Sequence, residues 1–128
     1  MVDVNLLQGT LLTEMGGDSL VVGLKELQNV TQQGTDFNRA KAYHQLAQTY
    51  LKNENGAMAE IMLDSMYSLL TRFEVPTYIR VNYEPILDYY LKTKNSDKVE
   101  QYTKLMFQEE HMFNSKSLKF NLVESIVK

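Results

Sequence analysis

Three short stretches hold residues that could do chemistry. Glu84 and Asp88 stand four apart, the spacing that sets two carboxylates on one face of a helix. Such a pair could work as general acid and base if burial drove the two proton affinities apart. Nothing nearby in the sequence supplies that burial, so a solvated or ligand-facing pair is the reading adopted. His44 could open a helical metal pair, but the residue four along is Gln48, and no second ligand follows. It reads as a partly exposed surface histidine or as a hydrogen-bonding group facing a groove. Glu109, Glu110 and His111 could ligate a metal, yet adjacent helical residues point to different faces. A solvated helix end is the simpler reading. No Gly-rich phosphate loop, nucleophile elbow or His-Glu-x-x-His helix occurs. No catalytic residue, metal site or cofactor is assigned, and the chain is expected not to be an enzyme.

Composition narrows the classes further. At 128 residues, 44% hydrophobic and 23% charged, the chain suits one folded domain or a short repeat array. A net charge of -3 argues against a nucleic-acid partner, which calls for a basic excess. The lysines that bunch between Lys92 and Lys104 are interrupted by Asp97 and Glu100, as on a solvated mixed-charge face. The absence of cysteine excludes disulfides and thiolate chemistry. No apolar run reaches the ~18 residues of a membrane helix, so no membrane insertion is expected. The opening MVDVNLLQGTLL lacks the basic region of a secretory signal, and a cytoplasmic location is expected, or a periplasmic one if the chain is a fragment.

The elements that must carry these residues are helices in pairs. Shifted by 40, residues 37–70 fall on 77–110 with seven identities: Tyr43/Tyr83, Tyr50/Tyr90, Leu51/Leu91, Lys52/Lys92, Asn55/Asn95, Glu60/Glu100 and Met66/Met106. In each copy an apolar stripe at helical spacing precedes a polar break, and a second stripe follows. The first copy shows Tyr43, Leu46, Ala47 and Tyr50, then NENG, then Ala59, Leu63 and Met66. The second shows Tyr83, Ile86, Leu87 and Tyr90, then TKNS, then Val99 and Met106. Asp36 is the expected N-cap of the first of these helices, and Ser96 of the last. Upstream, Val4, Leu7 and Leu11 predict one helix and Leu20, Leu24 and Leu27 its partner, with EMGGDS as the turn and Asp18 as the cap. Downstream, Leu118, Leu122, Val123 and Ile126 make an apolar stripe on a last helix, broadened by Phe120 and Val127. Pro85 falls inside a helix expected over 77–92 and predicts a kink there. The seven methionines and eight tyrosines read mostly as packing between hairpins.

The run Tyr43, Leu46, Ala47, Tyr50, Ala59, Leu63 and Met66 resembles the tetratricopeptide repeat. Small residues at Ala47 and Ala59 let two helices approach, and the large ones fill the remaining gap. The second copy departs from that pattern at Leu87, Val99 and Thr103; Thr71 replaces the closing proline, and the period of 40 exceeds the family's ~34. The resemblance implies an all-α, right-handed superhelix of about three and a half hairpins in a single domain, with units at 1–35, 36–75 and 76–114 and a half-unit at 115–128.

It also implies a groove lined by the first helix of each hairpin, accepting a protein or peptide. Carried over, the groove residues are Lys41, His44, Gln48, Leu51 and Lys52, then Glu84, Asp88, Leu91 and Lys92, with Asn5 and Leu12 extending the row. The slots of the family's basic carboxylate clamp hold Asn5, Gly9, Gln45, Val81 and Pro85, which cannot supply one. A polar peptide segment is the expected ligand, anchored on Leu51, Leu91 and nearby tyrosines. The stripe Leu118, Leu122, Val123, Ile126 and Val127 is expected to drive a homodimer through the C-terminal helix. Two other readings stand beside this one. The chain could be a sensor or self-association segment of a longer bacterial-type regulator, a histidine kinase or transcription factor. It could also be a small helical enzyme.

Overall fold

The structure, a computed structural model, describes residues 2–72 and 81–109. Every regular element among them is helical, so the chain is all-α, as its periodicity predicts. Five helices run in order: α1 (Val2–Met15), α2 (Asp18–Gln33), α3 (Asp36–Lys52), α4 (Gly56–Arg72) and α5 (Tyr83–Lys92). A sixth, α6, covers 96–109. The chain divides into two compact units, Met1–Val81 and Asn82–Lys128.

In the first unit α1 packs on α2 and α3 on α4, and α3 also touches both α2 and α1. Among the described residues α2 and α4 do not come together. Connections this short force successive helices to run antiparallel. The shared core is Leu27, Val30, Ala42 and Leu46, with Leu6, Leu24, Tyr50 and Met62 packed around it. The stripe expected on α4 is present: Ala59, Leu63 and Met66 are all fully buried, and so is Ala47 on α3.

The first hairpin corrects its expected register. Leu7 and Leu11 do not face the core of the unit; they are 64% and 52% exposed. Glycine, not leucine, sets the crossing of α1 on α2. A Cβ at Gly9 would lie 2.9 Å from Leu27 Cγ and 3.2 Å from the carbonyl oxygen of Gly23. A Cβ at Gly23 would lie 2.8 Å from the backbone nitrogen of Thr13. On α2 the buried residues are Gly23, Leu27, Val30 and Thr31, the first three of which reproduce the spacing of Ala59, Leu63 and Met66 on α4. Of the stripe expected through Leu20, Leu24 and Leu27, Leu27 is in the core, Leu24 packs against it half-buried, and Leu20 is half-buried.

The helix ends also differ from expectation. Thr35, not Asp36, caps α3, its hydroxyl accepting from the Asn38 N–H at 3.2 Å. Asp36 is instead the first helical residue and pairs with Arg39 at 3.3 Å, while Arg39 Nε donates to the Thr31 carbonyl at 2.8 Å. Asp18 opens α2 without capping it; the capping position is Gly17, at φ 58. Residues 77–80 lie outside the described residues, and Val81 and Asn82 are not helical. The expected kink at Pro85 is thus replaced by a helix start. Pro85 sits in the first turn of α5, where its missing N–H would have had no intrahelical partner.

In the second unit α5 and α6 form one hairpin. Tyr83, Ile86 and Tyr90 are the buried residues of α5. From α6 Tyr102, fully buried, stacks on Tyr90 with ring centroids 5.8 Å apart. Val99 and Met106 are only half-buried. Leu87 and Val99, standing where Ala47 and Ala59 stand in the first unit, are half-buried, and the tyrosine pair is the fully buried contact of this hairpin.

Candidate functional site

The four identities nearest the polar breaks prove to be one turn, used twice. After α3 the chain enters the left-handed region at Glu54 (φ 59), and after α5 at Lys94 (φ 57). Asn55 N–H reaches back to the Tyr50 carbonyl at 2.8 Å and Asn95 N–H to that of Tyr90 at 2.9 Å. Glu54 N–H bonds the Leu51 carbonyl and Lys94 N–H that of Leu91. This is the Schellman ending of a helix. The asparagine then caps the next helix: Asn55 Oδ1 accepts from Met58 N–H at 3.3 Å, and Asn95 Oδ1 from Lys98 N–H at 3.2 Å. Asn95 takes the role expected of Ser96, because its side chain reaches the first free amides while Ser96 is already helical. The turn after α1, built on Gly16 and Gly17 with φ 72 and 58, is of another kind. That difference explains why the first hairpin matches the repeat least well.

The residues expected to bind lie on the same helices that end in this turn. On α3, Lys41, His44, Gln48 and Leu51 share one half-buried face, opposite Ala42, Leu46 and Thr49, which are buried. The sides differ because α1, α2 and α4 all cover α3 from the apolar direction. Lys52 is exposed at the end of the helix. Lys41 Nζ stands 4.6 Å from the centre of the Phe37 ring, so its charge is held over an aromatic face. Gln48 Nε2 and His44 Nε2 are 3.3 Å apart. Burial pushes His44 down to about 4, so the imidazole is neutral at pH 7 and its Nε2 accepts from the amide. Next to this face Gln45 Nε2 donates to Thr13 Oγ1 at 3.2 Å, which ties α3 to α1. Of the two residues expected to extend the row, Asn5 is half-buried on α1, and so is Leu12 in the same helix. Gly9, a slot of the absent carboxylate clamp, is spent on helix contact.

On α5, Glu84, Asp88 and Leu91 form an exposed row that ends at exposed Lys92, and Leu91 is 60% exposed. Both carboxylates thus stand in water, and the burial an acid–base pair would need is not found. Glu109 is no bare helix end. It is half-buried and accepts a hydrogen bond from Tyr83. Burial first, then that bond and the charge of Glu109, raise Tyr83 far above the ordinary tyrosine range. Glu110, His111 and the stripe Leu118, Leu122, Val123, Ile126 and Val127 lie outside the described residues.

None of the family models, curated proteins or solved structures compared with this chain matches it. The site therefore stands on its geometry. Among the described residues no three His, Asp or Glu side chains gather, and no helix is long and apolar enough to cross a membrane.

Sequence reasoning missed Tyr102, Gly23 and Thr35, all of them structural. The signal for Tyr102 lies in the register: it stands 40 residues after Met62, one of the residues packed around the first unit's core.

Proposed function

We propose that the chain is a tetratricopeptide-like interaction module that binds a polar peptide segment of another protein without catalysing a reaction, in the cytoplasm. The observation that supports this best is the duplicated turn. It ends α3 and α5 alike, and each of these helices presents a polar face opposite a buried apolar one. Helices repeated with one face left polar suit recognition of an extended segment better than chemistry, since Glu84 and Asp88 are exposed and lack the burial an acid–base pair needs. The residues proposed to meet a ligand are His44, Gln48 and Leu51 on α3 in the first unit, and Glu84, Asp88, Leu91 and Lys92 on α5 in the second. Exposed charges contribute little each, so Leu51 and Leu91 anchor the segment and the polar groups set its register. The same module also forms a homodimer through its C-terminal stripe.

The test is a peptide library displayed against the full chain, with binders measured by calorimetry. Peptides selected on the wild type should lose affinity on Glu84→Lys with Asp88→Lys, or on Gln48→Lys with Leu51→Asp. Binders that ignore both pairs of substitutions would place recognition elsewhere and defeat this reading.

A further inference from the structure

Helix α1 is apolar on two sides. Toward the rest of the first unit it turns half-buried Leu6, and Gly9 and Thr13, which are buried. On the opposite side Leu7, Leu11 and Met15 stand at i, i+4 and i+8, and are 64%, 52% and 73% exposed. Past the Gly16–Gly17 turn, Val21 and Val22 on α2 are exposed as well. A helix apolar on both sides belongs between two layers, and a contiguous exposed stripe of this kind marks an interface.

The charge around the stripe specifies what covers it. The first 24 residues hold Asp3, Glu14 and Asp18 and no lysine or arginine. They therefore carry the whole net charge of -3, and the rest of the chain balances to zero. Glu14, which borders the stripe, and Asp18 are both exposed. The complement is an apolar stripe of the same spacing flanked by cations. This chain contains one: Leu118, Leu122 and Ile126, again at i, i+4 and i+8, among Lys116, Lys119 and Lys128, with Glu124 the single acid.

We infer that residues 116–128 of a second copy dock antiparallel along Leu7, Leu11 and Met15, with Lys116 and Lys119 opposite Glu14 and Asp18. The exchange is reciprocal, so the pair is two-fold and closed. This rests on the self-association reading above and supplies its docking surface: the terminal stripe packs on α1 of the partner copy rather than on the partner's own terminal stripe.

The experiment is sedimentation of the full chain and two variants. One carries Leu7→Ser and Leu11→Ser, both at exposed positions and so without consequence for the core. The other carries Leu122→Ser and Ile126→Ser. The wild type should be dimeric at tens of micromolar, and each variant alone should dissociate at least about tenfold more readily. An equimolar mixture of the two variants should recover dimers, because it restores one of the two contacts. Glu14→Lys with Asp18→Lys should weaken the wild-type dimer, as should raised salt. A dimeric wild type whose variants show no recovery on mixing overturns the α1 assignment, and so does an α1 variant that dimerises normally. If the terminal variant is monomeric in that second case, the homodimer reading survives without α1. A wild type monomeric at high micromolar concentration overturns both, while leaving the peptide-binding reading to its own test.

Discussion

The rings of Tyr90 and Tyr102 stack with centroids 5.8 Å apart and 15° between their planes, and both side chains are fully buried. They join α5 to α6 at the level where the first unit uses Tyr50 and Met62. Truncation there leaves a cavity that the hairpin cannot close. Tyr102→Ala should cost about 3–5 kcal/mol, whereas Thr103→Ala, at the position the repeat pattern reserves for a large residue, should cost less than about 1 kcal/mol. Urea unfolding of both variants decides the register.

Gly23 should resist even alanine. Helix propensity favours alanine by about 1 kcal/mol, but the new methyl would sit 2.8 Å from the Thr13 backbone nitrogen, which cannot step aside. Gly23→Ala is expected to lower stability by roughly 1–3 kcal/mol. Gly9→Ala should be milder, because its nearest neighbour is the Leu27 side chain at 2.9 Å and the backbone comes no closer than 3.2 Å. Equal effects at the two sites would mean that the helices do not cross here.

The duplicated turn carries removable strain. Glu54 and Lys94 occupy the left-handed region at φ 59 and 57, where a Cβ costs on the order of 1 kcal/mol. Glu54→Gly and Lys94→Gly should each raise the unfolding free energy by about 0.5–1 kcal/mol, while Asn55→Ala and Asn95→Ala should each lower it by about 1 kcal/mol. Thermal scans of the four single variants check both signs.

His44 should make the first unit sensitive to acid. Its folded value is lowered from 6.5 to about 4 by burial, so between those pH values the unfolded chain binds a proton that the folded one refuses. Stability is therefore complete above pH 6.5 and falls as pH drops toward 4, by on the order of 2–3 kcal/mol. His44→Gln should flatten that part of the profile. Urea unfolding at a series of pH values measures the difference, and a parallel decline in both proteins would remove His44 as its source.

Much of the architecture is legible in the amino-acid sequence. The period of 40 and the paired stripes come from local constraints: a helix buries one face, and Ala47, Ala59, Leu63 and Met66 could only be that face. Position 54 or 94 cannot be recognised as left-handed, because neither is glycine; the backbone there is dictated by the Schellman bonds on either side. The acid cap, the Pro85 kink and the leucine register of α1 fail as expectations for a common reason. Each follows from residue type along the chain, while the outcome depends on which backbone atoms come near. Thr35 rather than Asp36 caps α3 because the helix already includes the acid as its first residue, and Pro85 fits a first turn because Val81 and Asn82, just before Tyr83, are not helical. The closest approach of α1 to α2 goes to Gly9 and Gly23, residues that no hydrophobic pattern can register. The candidate surface follows the same division. The sequence alone places Lys41, His44, Gln48 and Leu51 on one face of a helix, and Glu84, Asp88 and Leu91 on one face of another, since helical spacing decides that. Only the tertiary structure decided that the carboxylates of α5 stand in water while His44 is held neutral, because solvation depends on which helices pack alongside.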